Sequence, residues 1–188
     1  MPNINTIIAT QPQFDSRLST QLVSVTAVAG ALKTWDFFTV FDSYLSAANF
    51  ATFDTRNSVP LLDFDDTAIE NALFIGYVPK GAFTLSGVNV NIYWNAATAV
   101  TGAVNWGCQI QRLSGVDLDN YGNARLVSTS TSTVSGVVST STVTITAVGS
   151  LSADMPYILR IYRNATDATY DTMLGDACFI AAGTSSPY

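Results

Sequence analysis

Histidine is absent from the sequence, glutamate occurs once (Glu70) and lysine occurs twice (Lys33 and Lys80). Without histidine the chain lacks the commonest general base, the commonest zinc ligand and every serine–histidine or cysteine–histidine pair. Most hydrolytic mechanisms would therefore need an unusual catalytic group. Because Glu and Lys are the ordinary surface residues of helices, their scarcity also argues against a helical protein. We predict an all-β protein with no enzyme activity.

Basic residues are few as well: eight Lys and Arg stand against fourteen Asp and Glu, which gives a net charge of −6. No cluster of Lys and Arg could neutralise phosphates, so we expect no direct nucleic-acid binding. The sequence has no apolar run of about 18 residues, so we expect no membrane span. No secretion signal is apparent at the N-terminus. Only 12% of the residues are charged. That composition favours a surface that is covered by a partner or by copies of the chain.

Period-two alternation runs through the C-terminal two thirds of the chain. In Val88–Trp94 every second residue is apolar, and the same pattern continues from 104 to 111. Such alternation is typical of strands with one face in a core. Residues Leu73, Ile75 and Tyr77 are the apolar positions of another strand. The remaining predicted strands lie at 61–64, 124–130, 143–147, 157–161 and 177–182. About eight antiparallel strands without interleaved helices predict a sandwich or jelly roll.

Residues 1–57 have a different pattern, and we treat them as an N-terminal extension of a β-domain that spans residues 58–188. Pro2 and Pro12 bracket an extended, uncharged arm. Aromatic residues at helical spacing between Trp35 and Phe50 predict a short helix. A Phe-rich segment of this kind either lines the sandwich or docks on another subunit. We assign it to attachment, with these interaction residues: Ile7, Ile8, Phe14, Trp35, Phe37, Phe38, Phe41 and Tyr44.

Two groups of aspartates could supply a carboxylate pair of the glycosidase type: Asp63, Asp65 and Asp66 in LDFDD, and Asp171 and Asp176 in DTMLGD. A structural role explains both groups better than a catalytic pair does, because aspartates commonly end strands and cap turns through side-chain hydrogen bonds. The oxygen-rich segment from Asp117 to Asn123 lacks the closing Glu of a calcium loop, so a hairpin loop is favoured there. We therefore assign no catalytic, metal or cofactor-binding residue.

Several other features are best explained by packing. Trp94 and Trp106 lie on the apolar faces of their strands and are expected in the core. Cys108 and Cys178 are expected to be buried thiols rather than a disulfide, since nothing indicates export. The Ser/Thr-rich stretch from Ser128 to Ser141 is expected to form a short hairpin around Gly136 rather than a disordered linker.

The order and spacing of five elements resemble those of single jelly-roll virion proteins of tailed bacteriophages. The elements are LDFD (Leu62–Asp65), a Val78-Pro79 stop, V-x-V-x-I-x-W (Val88–Trp94), V-x-W (Val104–Trp106) and LRIYR…DT…GDA (Leu159–Ala177). The resemblance covers residues 58–188. The chain departs from that family in its long aromatic N-terminal region and at Ala153–Pro156, where a Gly-Asp turn is expected.

This resemblance implies two four-stranded sheets, a homotrimer and a place on the exterior of a virion that is assembled in the host cytoplasm. The role it implies is that of a capsid decoration (cement) protein, which binds and stabilises the lattice of the major capsid protein. It carries no catalytic residues and no cofactor. The alternative functions are a phage tail or fibre component and a carbohydrate-binding receptor module. An Asp-based glycosidase ranks well below these.

Overall fold

The computed structural model describes residues 34–44, 46–80, 87–113, 121–146 and 151–186. Eleven strands and one 3₁₀ turn (Val40–Asp42) form the regular structure of these ranges. The strands are β1 (Thr34–Thr39), β2 (Ser43–Tyr44), β3 (Thr52–Arg56), β4 (Val59–Phe64), β5 (Glu70–Val78), β6 (Val88–Ala96), β7 (Ala103–Arg112), β8 (Arg125–Ser130), β9 (Ser139–Ile145), β10 (Met155–Arg163) and β11 (Ala177–Ser185).

The strands form two antiparallel sheets. Sheet A has the order β3-β4-β11-β6-β9, and sheet B has the order β2-β5-β10-β7-β8. Strand β1 joins sheet A beside β4, because β11 pairs with β4 through 177–179 and with β1 through 181–185. From β4 to β11 the chain divides its eight strands equally between the sheets, in the strand order of a jelly roll. The predicted all-β, jelly-roll sandwich is confirmed.

The core lies between the sheets and is rich in aromatic rings. Trp94 of β6 and Trp106 of β7 are fully buried and meet edge to face, with their ring centroids 6.0 Å apart. Phe64 packs edge to face on Trp106 at 5.1 Å, and Phe179 lies 5.5 Å from Phe74. The predicted core positions of β6 and β7 are confirmed. Burial of these large rings is the main source of stability that holds the two sheets together.

The apolar face of β5 was predicted wrongly. Ile75 and Tyr77 are about half exposed, whereas Phe74 and Val78 are buried between the sheets. The register of β5 against β10 determines which face of β5 is buried, because it places Phe74 opposite the buried Leu159. Both faces of β5 carry apolar residues, so alternation alone could not tell which face points inward. A shift of one residue exchanges the faces of a strand.

The helix predicted between Trp35 and Phe50 is not formed in the described residues of that segment. β1, the 3₁₀ turn and β2 take its place. Aromatic residues fit a pleated, half-buried surface at least as well as a helix, and Phe38 is drawn into the core, where its ring centroid lies 5.3 Å from that of Phe74. The compact unit begins at Thr34, so β1 to β3 belong to the sheets, although the sequence placed them in an extension. Residues 1–33 lie outside the described ranges.

The Ser/Thr-rich stretch does not form the predicted hairpin. Strand β8 pairs with β7 in sheet B, whereas β9 pairs with β6 in sheet A, so residues 131–138 cross from one sheet to the other. Small, similar side chains say little about which sheet a strand joins. The hairpin loop favoured for residues 117–123 falls between the paired strands β7 and β8, but most of it lies outside the described residues. Cys108 and Cys178 are free, buried thiols, as predicted.

Candidate functional site

Arg163, at the end of β10, organises the loop that follows it. Its side chain is fully buried and forms a salt bridge with Asp171, with 2.8 Å between Nη2 and Oδ1. Nη1 donates to the carbonyls of Phe64 (3.1 Å) and Gly175 (2.8 Å), and Nη2 also donates to that of Met173 (2.7 Å). With Nε bonded to Asp171 at 3.0 Å, all five guanidinium hydrogens have acceptors. The LRIYR…DT…GDA pattern therefore contains the anchor of the segment 164–176.

The anchored loop rises over the outer face of sheet B and forms a groove with β8. We call it the β8 groove; its volume is about 400 Å³, and its lining consists of Asn105, Leu126, Val127, Ser128, Asp167 and Tyr170. Ser128 Oγ donates to the carbonyl of Tyr170 at 2.7 Å, which fixes the loop to β8. At the floor Asn105 Nδ2 lies 3.4 Å from Asp167 Oδ2. The Tyr170 and Leu126 side chains remain more than half and about half exposed at the rim.

A second polar and aromatic cluster lies beside the groove on the same face. The guanidinium of Arg160 stacks on Tyr162 and Tyr121, at 5.2 and 5.8 Å from the ring centroids. Arg160 Nη1 donates to Gln109 Oε1 at 2.9 Å, and Gln109 Nε2 donates to the carbonyl of Gly122 at 2.8 Å. The ring of Tyr162 covers Gly107, where a Cβ would lie 2.2 Å from Cζ. This Tyr–Arg–Tyr stack is held in place by its own contacts.

A smaller cavity of about 240 Å³ opens at sheet A near Asp54, Arg56, Asp63 and Cys178. Burial raises the pKa of Asp63, while a hydrogen bond with Cys178 partly offsets the rise. Burial also raises the pKa of the Cys178 thiol, so it is not an activated nucleophile. Arg56 Nη1 donates to the carbonyls of Ala96 and Ala97. These groups form hydrogen bonds with one another and with the backbone, and we assign no ligand to this cavity.

The predicted interaction residues are divided between the surface and the core. Phe37, Phe41 and Tyr44 are well exposed, at 61%, 73% and 58%. Phe38 is buried in the core and Trp35 packs partly against it, so neither presents a free ring. Ile7, Ile8 and Phe14 lie outside the described residues. The structure adds two exposed rings that were not predicted, Phe50 and Phe53, and the Phe53 centroid lies 5.9 Å from that of Phe41.

Three of the aspartates considered as a carboxylate pair have structural roles. Asp65 accepts hydrogen bonds from the backbone and hydroxyl of Thr67, and these bonds lower its pKa. Asp66 accepts one from the backbone of Gly175, and Asp171 holds Arg163. Within the described ranges, no group of three or more acidic or cysteine side chains is arranged to hold a metal ion. No helix of the described part of the chain is long and apolar enough to cross a membrane.

Sequence reasoning missed the residues of the β8 groove. Asn105, Ser128, Asp167 and Tyr170 come from three separate parts of the chain, and each is an ordinary residue of a strand or turn. Only the pairing of β7 with β8 and the Arg163 anchor bring them together. No spacing in the sequence could have revealed the groove.

No protein-family model matches the sequence, and no curated protein matches it. Among solved structures the chain is similar to a family 11 carbohydrate-binding module from Clostridium thermocellum in complex with a β-1,3-1,4-mixed-linked tetrasaccharide. The identity is 7%, the TM-score is 0.41, and the match covers 80% of this chain and 94% of that chain.

Proposed function

We propose that this chain is a non-enzymatic structural protein of a virion, most simply a capsid decoration protein that binds the major capsid protein on the particle exterior. The sequence resemblance to single jelly-roll virion proteins motivates the proposal. One structural observation supports it: four exposed rings lie between residues 41 and 53, on the segment that precedes the eight-stranded jelly roll. We call this set the aromatic edge, and it consists of Phe41, Tyr44, Phe50 and Phe53.

The aromatic edge lies where the chain passes between the two sheets. The 3₁₀ turn carries Phe41 from β1 of sheet A toward β2, where Tyr44 pairs with Leu73 of sheet B, and Phe53 lies on β3, back in sheet A. Large apolar side chains that fill pockets on a partner supply most of the affinity of protein interfaces. In this proposal the jelly roll is the rigid body and the aromatic edge is its contact with capsid subunits, repeated over many copies.

The test uses the full chain with both Phe41→Ala and Phe53→Ala, mixed with capsids that lack the protein. Because truncation of a central interface ring commonly costs 2 kcal/mol or more, we expect capsid binding to weaken at least about tenfold. Val134→Ala is the matched control, since Val134 is an exposed apolar residue on the connection between β8 and β9. Undiminished co-sedimentation of the double variant would contradict a docking role for the aromatic edge. Sedimentation analysis of the free protein tests the accompanying proposal of a homotrimer.

Carbohydrate recognition is the second candidate function. A specific observation favours it: the outer face of sheet B carries the Tyr–Arg–Tyr stack with the amide of Gln109 beside it. Ordered rings next to hydrogen-bonding groups suit a ligand that has both apolar C–H faces and hydroxyl groups. A glycan array probes this function separately from capsid binding.

A further inference from the structure

We propose that the β8 groove is a binding site for short neutral oligosaccharides, with Tyr170 as the stacking ring. This inference rests on the second candidate function and names its site and ligand class. The volume of about 400 Å³ falls within the range of small-molecule sites, and the groove opens to solvent at its Tyr170 rim. The inference depends on three properties of the groove: the ordered backbone that carries its ring, the polarity of its floor and its charge.

The backbone of Tyr170 is fixed, although its side chain is exposed. Its backbone N–H donates to the carbonyl of Asp167 at 3.1 Å, and its carbonyl accepts from Ser128 at 2.7 Å. The next residue, Asp171, is held by the buried guanidinium of Arg163. A ring carried by an ordered backbone loses less conformational freedom on ligand stacking than a ring on an unanchored loop.

The floor of the groove offers donors and acceptors that a hydroxylated ligand can use. The bond between Asn105 Nδ2 and Asp167 Oδ2 is long, at 3.4 Å, so a ligand hydroxyl can take its place with better geometry. Asp167 accepts from the backbone of Thr169 through its other oxygen, Oδ1, at 3.2 Å, which orients the carboxylate without using Oδ2. Leu126 at the opposite rim adds an apolar contact.

Charge selects against anionic sugars. Asp167 is the single charged residue among those that line the groove in the described part of the chain. The whole chain carries a net charge of −6. A uronate or a sialylated glycan would be repelled by both, and no Lys or Arg of the lining could bind its carboxylate. A neutral sugar avoids this cost and still accepts a hydrogen bond from Asn105 and donates one to Asp167.

The experiment titrates the full-length protein with a panel of neutral and anionic oligosaccharides and follows backbone amide resonances by NMR. We expect neutral members to shift the signals of Asn105, Ser128 and Tyr170. Tyr170→Ala should weaken binding about three- to tenfold, whereas Tyr170→Phe should keep it. Leu174→Ala is the matched control, because Leu174 is the more exposed apolar residue of the same loop and does not line the groove. Its affinity should equal that of the parent.

Three results would overturn the inference: binding of anionic members alone, shifts confined to another face, or an affinity unchanged by Tyr170→Ala. If neutral sugars bind at the Tyr–Arg–Tyr stack instead, this site is refuted and the second candidate function survives. If no sugar binds, both are refuted. Should Tyr170→Ala fail to fold, the shift map of the parent and the affinity of Tyr170→Phe decide the question. Binding of an extended peptide along β8, the last strand in the order of sheet B, with no response to sugars, would also overturn it.

Discussion

Replacement of Arg163 by methionine is the sharpest test of how the fold is held together. The substitution places an unbranched apolar side chain in a fully buried position. It leaves the carboxylate of Asp171, which is 2% exposed, without its cation. It also removes the donors to the carbonyls of Phe64, Met173 and Gly175. The predicted consequence is a large loss of stability.

The size of the loss follows from these contacts. Removing one partner of a buried ion pair costs about 3–5 kcal/mol, because the remaining charge is uncompensated. The three carbonyls add less than their separate values, since water can reach them once the loop loosens. We expect the free energy of unfolding to fall by about 3–5 kcal/mol, which is a large part of the 5–15 kcal/mol typical of a domain. The melting temperature should fall by about 6–20 °C for a chain of this size.

Urea unfolding followed by tryptophan fluorescence measures this loss, since Trp94 and Trp106 are buried in the core. Arg125→Met is the control: Arg125 is exposed and bonds only to the hydroxyl of Thr146 among the described contacts, so its loss should cost less than about 0.5 kcal/mol. Arg163→Lys should be nearly as damaging as Arg163→Met, because an ammonium cannot supply five planar donors. A loss below about 1 kcal/mol for Arg163→Met would refute the anchoring role.

Three further predictions concern other parts of the sandwich. Burial raises the pKa of Asp63 above 3.8, so its contribution to stability is complete below that value and is lost as the pH rises through the raised pKa. Asp63→Asn should therefore melt higher than the parent at about pH 7, with a smaller difference at about pH 4; an equal melting temperature at neutral pH would contradict this. Gly107→Ala should lose about 1–3 kcal/mol in urea unfolding, because the new Cβ overlaps the ring of Tyr162; Gly122→Ala, with its nearest contact at 3.6 Å, is the tolerated control. Both cysteines are buried thiols with pKa values raised by burial, so Ellman's reagent should modify neither until urea unfolds the protein, and rapid labelling of the native state would count against their burial.

The jelly roll could be predicted from the sequence because strands such as β6 are polar on one side. In β6, Asn89 and Asn91 alternate with Val90 and Ile92, so the buried face is unambiguous. In β5, Phe74 and Ile75 are both large and apolar, and only the pairing with β10 determines which one is buried. Local pattern therefore identified the strands better than it identified their faces.

The segment before β4 and the proposed binding surfaces were harder to predict for a related reason. The helical spacing of Phe37, Phe38 and Phe41 was outweighed by the core position that Phe38 finds beside Phe74. The sequence did contain Arg163 and Asp171, within a pattern that resembled a phage family, but their pairing depends on burial that no alternation reveals. Tyr170 is a candidate ligand contact only because of that pairing, which fixes the loop on which it lies.

The strand order of the two sheets has a consequence for the order of folding events. The strand between β4 and β6 in sheet A is β11, and the strand between β5 and β7 in sheet B is β10. Each sheet is thus divided into two halves that stay unjoined until one of these two late strands forms. During synthesis β1 and β4 each have an unpaired edge until β11, their shared partner, is made more than a hundred residues later. Such long-range closure makes folding slow and leaves strand edges open to pairing between chains. This fold is therefore most vulnerable to misassembly when many nascent copies are present at high local concentration.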